Sequence, residues 1–160
     1  MPPTNPSAIV DAIVTDLEAN AGLPAGQPES TRKYAEPVLA PSDKLPILAV
    51  WCEDTTFRIE TTTTFMGGPT AAYERTHDVN IGWYVANPKG SELGGIGDPA
   101  IVQSLEATVE LLIARIAVYS GGLPGGLGPM VYGTLLSRHL KPLQGNVWRG
   151  LVVIEVREDA

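Results

Sequence analysis

Positive charge is scarce in this chain, and cysteine is almost absent. Eleven Lys and Arg residues stand against 18 Asp and Glu, a formal net charge of −7. The basic residues are scattered, and Arg32–Lys33 is their only adjacent pair. Affinity for nucleic acid comes mainly from neutralising phosphates, so this charge pattern argues against a tight duplex binder, although DNA could still pass close by. The lone Cys52 can form no internal disulfide and belongs to no zinc-ligand spacing. Inside the apolar run "LPILAVWCE" it reads as a small buried hydrophobe rather than a nucleophile. No run approaches the ~20 apolar residues of a membrane span. The opening "MPPTNPSAIV" lacks the basic region and apolar core of a secretory signal. These absences predict a soluble protein made in a reducing compartment, with no membrane partner.

What is present is ordinary globular material. The 160 residues are 44% hydrophobic and 18% charged. That length fits one domain over residues 1–160 and buries roughly 70% of the unfolded surface, so no disulfide or metal staple is needed.

A first helix is signalled by Asn5 as cap, Pro6 at the first turn and an apolar stripe of Ile9, Val10, Ile13, Val14 and Leu17. Asp11, Asp16 and Glu18 are assigned to the other faces. From residue 25 to Pro46 the chain is proline-rich and aperiodic. It reads as a long extended connection with a short strand near Pro37–Leu39, a kind of segment that often wraps over a partner. "PILAVW" reads as a buried strand, with Glu53–Asp54 as a turn at its end rather than a calcium site, which needs more oxygens. "FRIETTTTF" and the stretch from Tyr73 to Val85 alternate around "MGGPTAA", predicting a long antiparallel hairpin whose polar tip projects from the body. A second helix starts at Asp98–Pro99 and carries Ile101, Leu105, Val109, Leu112, Ile113 and Ile116 on one face. "VWRGLVVIEVRE" closes the chain as a strand apolar on both faces, suited to a central position. The order predicts an α+β fold: a mostly antiparallel sheet of about four strands flanked by two helices.

The catalytic motifs fail on their own chemistry. In "YSGGLPGGLGPMVYG", Gly121 and Gly126 have P-loop spacing, but Leu127 and Gly128 stand where Lys and Ser/Thr are required. The stretch reads as a connection after a helix. "GIGDPA" matches G-x-G-x-x-A, but no tight strand-to-helix turn precedes it and no acid ends a second strand about 20 residues later. His77 and His139 read as structural or solvent-facing. Nothing like a nucleophile elbow supports a Ser137/His139/Asp78 assembly. Trp51, Trp83 and Trp148 read as core packing. The expectation is a protein without enzyme activity, cofactor or metal. The competing expectation is a small α+β enzyme or ligand-binding domain using the 87–98 and 120–133 loops.

Taken together, the capped helix at Asn5–Leu17, "LPILAVWCEDT", the hairpin "FRIETTTTFMGGPTAAYERTHDVNIGWYV", the helix "DPAIVQSLEATVELLIARI" and the closing "NVWRGLVVIEVRED" resemble a tail terminator (tail completion) protein of long-tailed bacteriophages. The resemblance covers most of the chain and is one of element order. It implies a structural subunit of a hexameric ring that caps the tail tube, ends its polymerisation and offers a head-joining surface. The implied partners are further copies of the chain, the tail tube protein and the head–tail connector or stopper, with DNA passing through without specific binding. The implied location is the virion neck, and the host cytoplasm during assembly. The other neck roles, head-completion or stopper protein and tube subunit, stay open. Candidate assembly contacts are the hairpin tip residues Phe65, Met66, Gly67, Gly68, Pro69 and Tyr73. The reading agrees with the physics of an open sheet, whose edges a closed ring of identical subunits would cover.

Overall fold

A computed structural model describes residues 5–21, 28–64, 68–87, 98–125, 127, 131–143 and 146–159, with backbone alone at 59–64, 68–73, 131–132 and 159. Helix α1 spans Pro6–Asn20, and the Asn5 side chain accepts from the Ser7 N–H at 2.9 Å. Strands β1 (Ser30–Lys33), β2 (Ile47–Thr64) and β3 (Gly68–Ala86) follow. Helix α2 spans Pro99–Ile116, capped by Asp98, whose carboxylate accepts from Ala100 N–H at 3.0 Å. A 3₁₀ turn at Ala117–Gly121 extends it, ending at Gly122, whose φ of 127° few side chains tolerate. Strands β4 (Val131–Leu143) and β5 (Val147–Asp159) complete the chain.

The fold is α+β: one five-stranded mixed sheet in the order β1-β2-β3-β5-β4, with two helices. Only the β1–β2 pair is parallel. Three expectations are corrected. The short strand of the proline-rich segment lies at Ser30–Lys33 rather than Pro37–Leu39. Residues 131–143, left without an element by the sequence pattern, form a full strand. "PILAVW" and "FRIETTTTF" belong to the single strand β2, so Glu53–Asp54 is no turn. The ladder instead shifts register between Cys52 and Asp54, a β-bulge that absorbs Glu53 as an extra residue. Glu53 accepts from Trp51 Nε1 at 2.8 Å and Asn80 Nδ2 at 3.0 Å.

Both helices pack on the same face of the sheet. The main core joins Ile9, Ile13 and Leu17 of α1 and Leu105, Val109 and Leu112 of α2 to Leu48, Val50, Val79, Ile81, Val152 and Ile154 of the strands. α2 lies so close to β5 that a Cβ on Gly150 would overlap Val109 Cγ2 and come within 3.2 Å of Leu105 Cδ1. The opposite face carries a smaller cluster of Ile47, Ala49, Trp51, Tyr84 and Val147, against which Leu39 and Leu45 of the connecting segment pack. Arg149 Nη1 donates to Glu36 of that segment at 3.0 Å. Trp51 and Trp83 are buried as expected. Cys52, next to the bulge, is only half-buried, short of the full burial read from its apolar run. Burial pushes its thiol pKa up, against a nucleophilic role.

Asp16 corrects the reading of α1 as well. It is only 5% exposed and accepts from Arg115 Nε at 2.8 Å, Arg115 Nη2 at 2.6 Å, the Tyr119 hydroxyl at 2.7 Å and Asn20 Nδ2 at 3.0 Å. This one carboxylate ties α1 to α2 and the 3₁₀ turn. Burial opposes its ionisation, but the donors from Arg115, Tyr119 and Asn20 outweigh that and hold its pKa below the usual carboxylate value. Burial and the hydrogen bond to Asp16 together push the Tyr119 hydroxyl pKa far up.

Candidate assembly surface

The surface features that could hold a partner follow from how the sheet ends. β1 covers β2 only from Ile47 to Val50, and Tyr34 N–H adds one further bond to Val50 C=O. Among the described residues, β2 from Trp51 onward and the whole outer edge of β4 have no neighbouring strand. Such edges present a row of backbone donors and acceptors ready to pair with another chain. The exposed apolar side chains Phe57 on β2 and Leu135 and Leu136 on β4 lie on these two edges, exposed by 62%, 41% and 53%. β4 carries a register shift of its own between Leu135 and Ser137.

The β2–β3 ladder runs from Ile47–Tyr84 to Thr64–Gly68, whereas β3 pairs with β5 only from Glu74 to Ala86. Beyond Glu74 the sheet therefore narrows to two strands. Of the tip residues expected to make contacts, Phe65, Met66 and Gly67 lie outside the described residues. Gly68 and Pro69 pair with Thr64 and Thr63, and Tyr73 pairs with Ile59. The backbone thus brings these three to the narrow end of the sheet.

At the start of that narrowing sits a buried polar group. His77 is fully buried, and its Nδ1 shares a 2.9 Å hydrogen bond with Thr55 Oγ1. Its Nε2 stands 3.7 Å from Glu158 Oε2, too far for a hydrogen bond. That same oxygen accepts from Arg75 Nη2 at 2.7 Å and Nε at 3.2 Å. Burial, then the Arg75 charge, lowers the His77 pKa from its ordinary 6.5, although Glu158 and Asp78 pull the other way. The unfolded chain therefore binds the proton more readily. Stability should be complete above pH 6.5 and fall as pH drops from 6.5 toward the lowered value. Urea unfolding across that range should show the decline, and His77→Gln, which cannot take up the proton, should flatten its first part.

The other sequence candidates do not converge. Ser137 Oγ and His139 Nε2 share a 3.2 Å hydrogen bond on β4. Asp78 is on β3, with β5 between, and pairs in register with Asp54 and Glu155. The three are not one assembly. Asp98 acts as a helix cap, and its N–H donates to Asn87 Oδ1 at 2.9 Å. A shallow groove of about 510 Å³ lies between α1 and the start of the glycine-rich loop, lined by Ala8, Ala12, Asp16, Pro124 and Leu127 among others. The Asp16 oxygens there are already engaged. Among the described residues, no cluster of three His, Cys, Asp or Glu side chains could hold a metal. Likewise, no helix among them is long and apolar enough to cross a membrane.

Comparison with known proteins adds one finding. No protein-family model matches the chain, and no curated protein matches it. Its fold, however, is similar to that of a chain in a solved structure described as the virion of a native gene transfer agent (GTA) particle. The match has a TM-score of 0.51 and 15% identity, and covers 94% of this chain and 93% of the other. The likeness is one of fold along nearly the whole length.

Proposed function

We propose that this chain is a structural virion protein without enzymatic activity. In this reading the whole of residues 1–160 acts as one tail-terminator-like domain. Copies assemble into a ring, six in number by the family resemblance, on the last ring of the tail tube. The ring stops polymerisation and presents a head-joining surface to the connector or stopper. The observation that carries the reading is the chain-long likeness of fold to a component of a GTA virion. The two open sheet edges support it, since a closed ring removes edges. The β2–β3 ribbon, with Phe65, Met66, Gly67, Gly68, Pro69 and Tyr73 at its end, would reach the tube.

Tube length decides between this and the other neck roles. Purified protein added to growing tail tubes should shorten them and appear at one end only. Tubes that lengthen by taking it up along the wall would identify a tube subunit. Tubes that ignore it would point to the stopper side of the neck.

A further inference from the structure

The geometry points to a specific contact between copies: β4 of one subunit adds to the uncovered length of β2 of the next, continuing the sheet from chain to chain. This inference rests on the ring reading above and names its interface. Three antiparallel pairings separate β2 from β4 in the sheet, so the two strands run in opposite directions. A neighbour related by rotation about a ring axis therefore presents β2 antiparallel to β4. The interface is head-to-tail, with different edges meeting, as a closed ring requires.

β1 sets the register. Because it occupies Ile47 to Val50, and Tyr34, bonded to Val50 C=O, stands beside Trp51, an incoming β4 can pair only from Cys52 onward. The first free pair sets Pro142 of one copy beside Cys52 of the next, where Pro142, lacking an N–H, can offer the ladder only its carbonyl. The bulge at Glu53 then brings Lys141 beside Asp54. Faces match in this register. Lys141 pairs with Arg149 and Asp54 with Asp78, all on the helix-free side, whereas Pro142 and Cys52 pair with Trp148 and Val79 on the helix side. A slip of one residue would reverse every face. Charge fits as well. β4 has no acidic residue; Arg138 is held by Glu110 of its own α2 at 2.7 Å, which leaves Lys141 to meet the neighbour's Asp54. The open part of β2 offers exposed Glu53 and Asp54. Further along, Arg138 falls beside Phe57, and Leu135 lies two pairs beyond it on the same face, a diagonal neighbour of that exposed ring.

The single native cysteine supplies the test. Pro142→Cys in the full chain places a second thiol opposite Cys52 of the neighbour, within cross-strand disulfide reach. Mild oxidation should give a ladder of covalent multiples on a non-reducing gel. Adding Cys52→Ser should abolish the ladder, and Ser120→Cys, on the exposed 3₁₀ turn, should give none. Independently, Lys141→Glu should raise the concentration at which light scattering detects assembly by at least ~tenfold, and adding Asp54→Lys should restore it. Oligomers that form without a ladder, or that ignore Lys141→Glu, would overturn this interface and leave the ring reading standing. A ladder from a protein that does not cap tubes would leave the interface standing and overturn the terminator reading. A chain that stays monomeric and gives no ladder overturns the interface.

Discussion

Asp16→Ala is expected to lower stability by about 3–5 kcal/mol, the usual cost of breaking a buried ion pair by removing one partner. The carboxylate is the shared acceptor of Arg115, Tyr119 and Asn20. Without it the Tyr119 hydroxyl, on a residue with no exposed surface, loses that acceptor. Tyr119→Phe removes one donor and leaves the Arg115 pair, so it should cost less, about 1–3 kcal/mol. The measurement is the urea midpoint of each variant, with an unchanged slope showing that the denatured state is not altered. The sign of the pH effect follows from the lowered pKa. Asp16 contributes fully above its ordinary 3.8, and the contribution is lost as pH falls below that value. The native protein should therefore lose stability in two stages on acidification, His77 first and Asp16 later, and Asp16→Ala should lack the second.

Gly150→Val should be at least as damaging, beyond ~3 kcal/mol, the upper end for overpacked cores. The crowding falls on Val109 and Leu105, the residues by which α2 meets β5. Val109 is branched and buried, so relief requires the helix to move. Gly150→Ala should cost about 1–3 kcal/mol. Combining Gly150→Ala with Val109→Ala should cost less than the sum of the two, because the second change opens the space the first one fills. Thermal unfolding of the four variants tests this, and strict additivity would mean that α2 does not seat on Gly150.

Those two residues also mark the limit of what the sequence discloses. Helix periodicity, the Asn5 and Asp98 caps and the β2–β3 alternation were all readable, because each is written within a few neighbouring residues. The pattern sets Asp16 away from the apolar stripe, although it stands three residues after Ile13 and seven after Ile9, on the apolar side. That spacing was the available signal. Its partner, Arg115, lies 99 residues away, and no local pattern connects the two. β4 escaped because Gly133 and Pro142 weaken its strand signal and the bulge at Leu136 breaks its alternation. β1 has no apolar residue at all. Its position is fixed by distant contacts: Thr31 Oγ1 donates to Glu18 at 2.6 Å and Lys33 Nζ to Asp11 at 3.2 Å, both on α1. The hairpin pattern does put Gly68, Pro69 and Tyr73 at the end of the β2–β3 ladder. The open edges are not legible in it, since an edge is defined by which strand fails to arrive.

The strand order also bears on how the chain finds its shape. β2 with β3, and β4 with β5, are each sequence neighbours. The central seam between β3 and β5 joins partners such as Arg75 and Glu158, 83 residues apart. Loop closure makes such pairings slow relative to local ones. The two hairpins are thus the fast events and the seam the slow one. Until it closes, the apolar faces that will meet α1 and α2 are held on separate halves. That interval is when two nascent copies can exchange halves, and the close seating of α2 on Gly150 helps to end it.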